Sequence, residues 1–491
     1  MRRIFVSVAF ALASCNAWQN IQCEQSSNCD LSAGGECLAA PTGNMWCAYP
    51  DPSCSGGYRY SDQAVGDGLG GVCVPVGSGS GSGSDFACGS DADCAGMSGT
   101  PFCAASGACV ACLDDSECTS ADAPVCDGSA NVCRGCEQDS ECASGICLES
   151  NGTCADADNA IYVSEGGSDA GNCTSMSPCK TLAYAFDYMN AGRNVIRIIG
   201  GTFDVPGTQD VLVTGFIDGA NTHIIGGGSD GILNIAGDLT VSGVILQPTV
   251  GGYPAVVVSS GRLILDVVES DADIYVNGGE LDVYRSKMED VDCGEYGSGG
   301  SFLIDQSELY AVEANDCNIT LERSTLDVTP VAGNPSPLYV ANSMFVIEND
   351  VFVSAEGFAD GPDVNASGSS VFRFNTLVNL SGEDQTANPF DCSGSVDASN
   401  NVIAWHTSAA PRCPTTFTLY DSIEALPPGE GNQIGSASTF FVDMANKNFH
   451  LAPGSPAIGA AESSACAAVP SDHDGSARPG SACDVGAYES P

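Results

Sequence analysis

Between Leu281 and Val402 a small polar residue returns at intervals the length of one solenoid coil, and no other feature limits the fold as much. The residues are Ser286, Ser307, Ser324, Asn349, Asn375 and Asn400, spaced by 21, 17, 25, 26 and 25. Three places earlier stand Val283, Ile304, Leu321, Val346 and Phe372; two places later stand Met288, Leu309, Leu326, Val351, Leu377 and Val402. Apolar side chains at fixed offsets on both sides of a polar corner fit strands that bend there while sharing a stacked interior. The corner residues would then form an inward Ser/Asn ladder. A β-sandwich also supplies short alternating strands, but it does not generate one corner at a coil-length period. An all-β solenoid is therefore expected over 156–440, with apolar runs such as Val195-Ile196 and Val256-Val257-Val258 as strands and Thr181 to Asn190 as the one fair helix candidate.

The 27 cysteines organise what precedes it. Cys88, Cys112 and Cys136 recur in step with Cys94, Cys118 and Cys142, and the couples Cys103 and Cys109, Cys126 and Cys133, and Cys147 and Cys154 close each unit. Asp91-Ala92-Asp93-Cys94, Asp115-Ser116-Glu117-Cys118 and Asp139-Ser140-Glu141-Cys142 confirm the register, so 85–155 holds three copies of one four-cysteine module. Modules this short bury too little apolar surface to fold unaided, and disulfides are the expected staple. Their pairing is not legible. The Cys109-x2-Cys112 and Cys133-x2-Cys136 borders admit a zinc reading, although no histidine interleaves them. Before the modules lie a Cys-rich segment at 15–76, with six cysteines from Cys23 to Cys73, and an eight-residue Gly-Ser run at 77–84, a flexible coil with ends roughly 16 Å apart. Within the solenoid four local pairs are candidate disulfides: Cys173 with Cys179, Cys293 with Cys317, Cys392 with Cys413, and Cys466 with Cys483.

The amino terminus reads as an export signal over 1–14: Arg2 and Arg3, an apolar run from Ile4 to Leu12, then Leu12-Ala13-Ser14-Cys15. That last tetrad resembles the bacterial lipobox, which implies lipidation of Cys15 and cleavage before it. Ala11-Leu12-Ala13 also fits an ordinary cleavage site, which would leave Cys15 a plain thiol and the protein secreted. Removing Cys15 leaves an even set of cysteines, which favours the lipid. No later apolar run is long enough to cross a bilayer as a helix, so the only membrane partner expected is a lipid anchor, and Asn16 after the cysteine points to the outer membrane or cell surface. The net charge of −47 makes a nucleic-acid partner improbable. It serves solubility outside the cell or, where carboxylates cluster, binding of calcium.

Ile161-Tyr162-Val163-Ser164, Cys173, Pro178-Cys179-Lys180-Thr181-Leu182 and the stretch from Asn194 to Phe203 resemble the entry segment of pectate-lyase-like proteins. The resemblance implies a right-handed parallel β-helix whose open end is capped by a short amphipathic helix. At the other end, Phe441-Val442-Asp443, Asn448-Phe449-His450-Leu451, Pro453-Gly454-Ser455-Pro456-Ala457-Ile458, Asp472-x-Asp474-Gly475, Arg478-Pro479 and Asp484-Val485-Gly486-Ala487-Tyr488-Glu489 resemble the closing segment of the choice-of-anchor Q family of surface β-helix proteins. This implies a closing segment over 441–491. Gly459 stands where that family usually has Asp.

Motifs of chemistry are sparse. Gly227-x-Ser229-x-Gly231 lacks the strand and helix order of a nucleophile elbow, and Gly66-x-Gly68-x-x-Gly71 lies inside a cysteine block. His223, His406, His450 and His473 are dispersed. One place before the corner stand Arg285, Gln306, Arg323 and Glu348, an expected outward polar ladder near Asp282, Lys287, Glu289, Asp290, Asp292, Asp305 and Glu322. A lyase reading gives calcium to the carboxylates and proton abstraction to Arg285 or Arg323; the bland reading is that outward strand positions of a soluble solenoid are charged. Asp472, Asp474 and Asp484 near Arg478 form either an ion site or a structural clamp, with the clamp favoured. No motif requires a cofactor.

The expectation is a non-enzymatic surface lipoprotein whose β-helix serves adhesion or glycan binding, with extracellular polysaccharide or a surface protein as partner and Tyr253, Tyr284, Tyr296, Tyr310 and Tyr339 as stacking candidates. A calcium-dependent lyase or hydrolase of an acidic polysaccharide is the alternative, and a purely structural coat the third. Asn151, Asn318, Asn365 and Asn379 head Asn-x-Ser/Thr sequences, which matter where the host glycosylates them.

Overall fold

Parallel pairing starts at Ala160–Val163 and continues coil upon coil to Gln433–Gly435, giving one 26-stranded sheet among the described residues. It winds as a right-handed parallel β-helix, as expected. This computed structural model describes residues 88–490 except 96, 98, 149–150, 212–214, 228–230, 250–253, 295–298, 330–335, 356–359, 382–387, 406–410 and 422–425. Nearer the amino terminus it describes 23, 29, 34–40, 44–51, 54, 58–61, 69 and 72–74. The signal segment, Cys15, the Gly-Ser run, Gly66, Gly68, Gly71, Ser229, Tyr253, Tyr296 and His406 lie outside the described residues.

Each coil has three faces. Glu280–Tyr284, Ser301–Asp305, Asn318–Glu322 and Phe345–Glu348 belong to the first. Thr325–Asp327, Val351–Ser354, Thr376–Asn379 and Val402–Ala404 belong to the second, and Val256–Val258 and Ile274–Val276 to the third. Inward side chains stack in one continuous core, such as Val283 on Ile304 on Leu321 on Ile347 on Phe372.

The chain turns from first to second face through a residue in the left-handed region: Val267, Arg285, Gln306, Arg323, Asn349, Phe374, Asn400 and Phe417, with φ between 48° and 62°. That conformation costs an L-residue about 1–2 kcal/mol. The following residue offsets it by turning a polar side chain inward. Ser286 N–H donates to Ser307 Oγ at 3.1 Å, Ser307 N–H to Ser324 Oγ at 3.2 Å, Ser324 N–H to Asp350 Oδ1 at 2.8 Å, Asp350 N–H to Asn375 Oδ1 at 2.9 Å, and Asn375 N–H to Asn401 Oδ1 at 2.9 Å.

The ladder is thus present, but two of its expected members are displaced by one residue. Asn349 and Asn400 are the left-handed corner residues, and Asp350 and Asn401 are the inward ones. Two adjacent polar residues occur at each of these corners, and spacing alone cannot choose between them. The shift carries through the coil: Ile347, not Val346, faces the core, and Val346 is 36% exposed. Phe352 and Ile403 point inward, while Val351 and Val402 pack outward beneath the carboxy-terminal segment.

The chain divides into two compact units, Met1–Arg134 and Gly135–Pro491. In the first, Glu36–Ala39, Met45–Pro50 and Tyr58–Tyr60 form an antiparallel sheet over Leu38, Trp46 and Tyr60, stapled by Cys23–Cys37, Cys29–Cys47 and Cys54–Cys73. Every four-cysteine module pairs first with third and second with fourth, as in Cys88–Cys103 with Cys94–Cys109 and Cys112–Cys126 with Cys118–Cys133. Their shared Asp is structural: Asp91, Asp115 and Asp139 each accept a backbone N–H, from Cys103, Cys126 and Cys147.

The third module, Cys136–Cys147 with Cys142–Cys154, falls in the second unit. Its Ile146 and Leu148 pack with Ala160, Tyr162 and Val195 of the first coils, and Arg197 pairs with both Asp139 and Asp218. The unit boundary therefore precedes this module instead of following it at 155. The cap helix is shorter than expected, Leu182–Phe186, with Thr181 as N-cap and Leu182 and Ala185 buried.

The four local disulfides of the solenoid form with the partners expected. Cys173 is bonded to Cys179 across six positions, in the entry segment just before the cap helix. Cys293 is bonded to Cys317, 24 positions on, and Cys392 to Cys413, 21 positions on. Both intervals are about one coil, so each of these bonds staples a coil to the next. Cys466 is bonded to Cys483 across 17 positions within the closing segment, where both are buried beside Phe374.

Asp350 is fully buried, and no protein atom hydrogen-bonds its Oδ2. Burial first, then repulsion from Glu322, Asp305 and Glu348, pushes its carboxyl well above the ordinary range. Asn375 and Asn401, at equivalent positions, donate Nδ2–H to the carbonyls of Ile347 and Phe372, and by the same register an amide at 350 reaches that of Leu321. Asp350→Asn is expected to raise stability by about 1–3 kcal/mol. The unfolded carboxyl ionises first, so the wild type loses stability as pH rises above the ordinary Asp value, and the variant's advantage in thermal melts should grow over that range.

Candidate functional site

The corner geometry places one outward residue per coil along the edge of the first face, at about 4.8 Å per step. From one coil to the next these are Arg197, Asp218, Ser242, Asp266, Tyr284, Asp305, Glu322, Glu348, Arg373 and Ser399. Arg285 and Arg323, on the neighbouring left-handed positions, fold back onto the preceding coil. Arg285 grips buried Asp266 through Nε at 3.0 Å and Nη2 at 2.5 Å, and Arg323 takes Asp305 in the same two-pronged way, with Nε at 2.8 Å. Arg262 pairs with Asp282, and Arg373 with Glu348 at 2.7 Å. Hydrogen bonding to Asp282 raises the Arg262 guanidinium further.

Glu322 is the one carboxylate of this ladder with no guanidinium partner among the described residues. Burial, then the adjacent Asp305 and Glu348, raise its pKa.

The structure thus gathers Arg285, Arg323, Glu348, Asp282, Asp305 and Glu322 on one face. It does so differently from the expected ladder, because Glu348 stacks on Glu322 and pairs with Arg373. Lys287 lies on the second face, and Glu289, Asp290 and Asp292 follow it toward the third. Asp290 accepts Ala311 N–H at 2.8 Å, and burial lifts its pKa to about 6. Sequence reasoning missed the partners Asp266, Arg262 and Arg373; the signal was the coil interval, which sets Asp266 next to Tyr284 and Arg373 next to Glu348.

At the carboxy terminus the acidic residues act as turn locks. Asp472 accepts N–H groups of Ser476 and Glu489, and Asp484 those of Gly459 and Ser490, which occupies both oxygens of each. Asp474 stands apart, 2.7 Å from His450 Nε2. Gly459 has φ +64°, a left-handed turn that glycine takes without strain, which accounts for its place in this closing sequence. Arg478, fully buried, salt-bridges Glu489 at 2.9 Å, donates to Asn349 Oδ1 at 2.8 Å and to the carbonyls of Asp484 and Gly486, and lies 4.3 Å over the Phe374 ring. The segment therefore clamps the side of the last coils, gripping the corner residues Asn349, Phe374 and Asn400.

Among the described residues, the groups with metal-ligand spacing are cysteine triplets of the stapled segments, and all their sulfurs are in disulfides. The zinc reading is thereby overturned. Gly227 and Gly231 sit in a coil turn with positive φ and no helix follows. Tyr284, Tyr310 and Tyr339 fall on the first, second and third faces.

No family profile and no curated protein matches the chain. Among solved structures it is similar to the crystal structure of pectate lyase Pel9A, with 17% identity over 68% of this chain and 96% of that one, at a TM-score of 0.39. The fold assignment stands on the strand pairing itself.

Replacing Arg478 with Met leaves Glu489 and Asn349 buried without their partner. A loss of roughly 3–5 kcal/mol is expected in denaturant unfolding.

Proposed function

We propose that this protein is a non-enzymatic surface lipoprotein, anchored through Cys15, whose β-helix presents its faces for adhesion or glycan binding. The observation that carries this reading is the closure of the charged ladder. Arg262, Arg285, Arg323 and Arg373 are each held by a carboxylate of a neighbouring coil. A guanidinium pinned in this way is a poor proton acceptor, and carboxylates so engaged offer few oxygens to a cation. What remains is a long, rigid, regularly spaced polar surface.

The anchor reading is supported by cysteine pairing. The disulfides join every cysteine except Cys15. The intact mass of the membrane-extracted protein should correspond to a chain that starts at Cys15, carries acyl chains and resists alkylation until reduced; a chain starting elsewhere with one free thiol overturns the anchor.

Glu322 supports the second reading, a calcium-dependent lyase, because it combines a raised pKa with the lack of an ion-paired arginine among the described residues. Incubated with polygalacturonate and calcium, the protein is expected to release no unsaturated ends by ultraviolet absorbance, yet to be retained on an insoluble polysaccharide column. Turnover that Glu322→Gln abolishes would establish the lyase instead.

A further inference from the structure

The second face changes character half way along. Its outward residues in successive coils are Glu269, Lys287, Glu308 and Thr325, and then Val351, Thr376, Val402 and Leu419. The carboxy-terminal segment covers the apolar part, with Phe441, Phe449, Ala487 and Tyr488 packed on Val351, Val402 and Leu419. It stops where the outward positions turn polar. That step leaves a groove of about 310 Å³, the low end of the volumes that hold small ligands, roughly 300–1,000 Å³.

Three aromatic side chains, Tyr310, Phe449 and Tyr488, line it. Tyr488 is backed by the rings of His450 at 4.5 Å and His473 at 4.9 Å, so its position is fixed before any ligand arrives. The chain has three lysines, Lys180, Lys287 and Lys447, and two of them line this groove. Neither is an open cation. Lys287 Nζ lies 3.6 Å from Glu308, and Lys447 pairs with Asp327 while donating to Thr329 Oγ1 at 2.7 Å. The local charge therefore cancels in a protein of net charge −47, whose field repels a polyanion. What the groove offers is the half-buried ring of Tyr310, with Phe449 and Tyr488 buried behind the opening, beside several hydrogen-bond donors and acceptors.

We propose that this groove binds a neutral pyranose unit of a glycan, with its C–H face against the ring of Tyr310 and its hydroxyls bridging the Lys287–Glu308 and Lys447–Asp327 pairs. The proposal rests on the glycan-binding reading and gives it a place and a sugar class. Neutrality is set by the paired charges, and size by the step between covered and open coils.

The test uses the intact protein and isothermal titration calorimetry against a panel of neutral tetrasaccharides of glucose, mannose, galactose and xylose, with tetragalacturonate as acidic comparison. A neutral member is expected to bind more tightly than tetragalacturonate. Tyr310→Ala should weaken it at least tenfold, and Lys287→Gln several-fold, with unchanged thermal melts, whereas Met176→Ala, on an exposed turn, should leave it unaltered. If Tyr310→Ala melts early, Lys287→Gln alone decides. Binding that neither variant weakens overturns the groove, as does binding of tetragalacturonate alone. The broader reading is read separately: retention on polysaccharide without tetrasaccharide binding removes the groove and leaves glycan binding elsewhere, while loss of both removes the two together.

Discussion

At the corner from first to second face, in the coils from Val268 to Asn375, an amide would be stranded in the interior, because the preceding residue has turned left-handed and the chain there is no longer pairing as a strand. The inward side chain of the next coil's ladder residue reaches that amide, from Val268 donating to Ser286 Oγ through Asn375 donating to Asn401 Oδ1. An unsatisfied buried amide costs about 1–3 kcal/mol, so each coil depends on the one after it for its bend. The rest of the architecture follows from this dependence. It fixes which residue of each coil turns inward, and therefore which residues line all three faces.

The charged edge is a corollary. Residues that turn left-handed project outward beside the first face, so arginines at Arg285 and Arg323 fall within reach of Asp266 and Asp305 one coil away. Arg323 and Arg373 act where the stacked strands bring carboxylates next to one another at strand spacing, along Asp305, Glu322 and Glu348. Glu322, between Asp305 and Glu348, has its pKa raised by burial and by both neighbours, with Arg323 only partly offsetting them.

The parts of the structure that were legible in the sequence are those that repeat. Cysteine spacing marked the modules and the local disulfides, such as Cys293 with Cys317 and Cys392 with Cys413, and the Ser/Asn recurrence marked the coils. Where two polar residues adjoin, at Asn349-Asp350 and Asn400-Asn401, periodicity could not tell the corner from the ladder. The missing information was carried by sequence-distant residues, since Asn349 and Asn400 bond to the carboxy-terminal segment. Val351 and Val402 illustrate the same limit: their apolar character was read as interior, but it answers to a cover supplied by residues far along the chain. The groove beside Tyr310 was illegible for that reason too, because one side of it comes from Lys447, Phe449 and Tyr488, far along the chain. The reach of Arg197 to Asp139 likewise joins a module to a coil across a boundary that composition alone had set at 155.

The lateral clamp also orders the steps by which the molecule is made. Arg478 meets Asn349 across 129 positions, and Ala487 meets Thr376 across 111. Coils can stack as they emerge, each on its predecessor, but the outward valines of the last coils stay bare until Phe441, Phe449, Ala487 and Tyr488 arrive. Contacts of such long sequence separation form late and slowly, and bare apolar strips on nascent chains invite association. A chain interrupted before the segment 441–491 would therefore complete most of its solenoid and still leave the flank at Val351, Val402 and Leu419 uncovered.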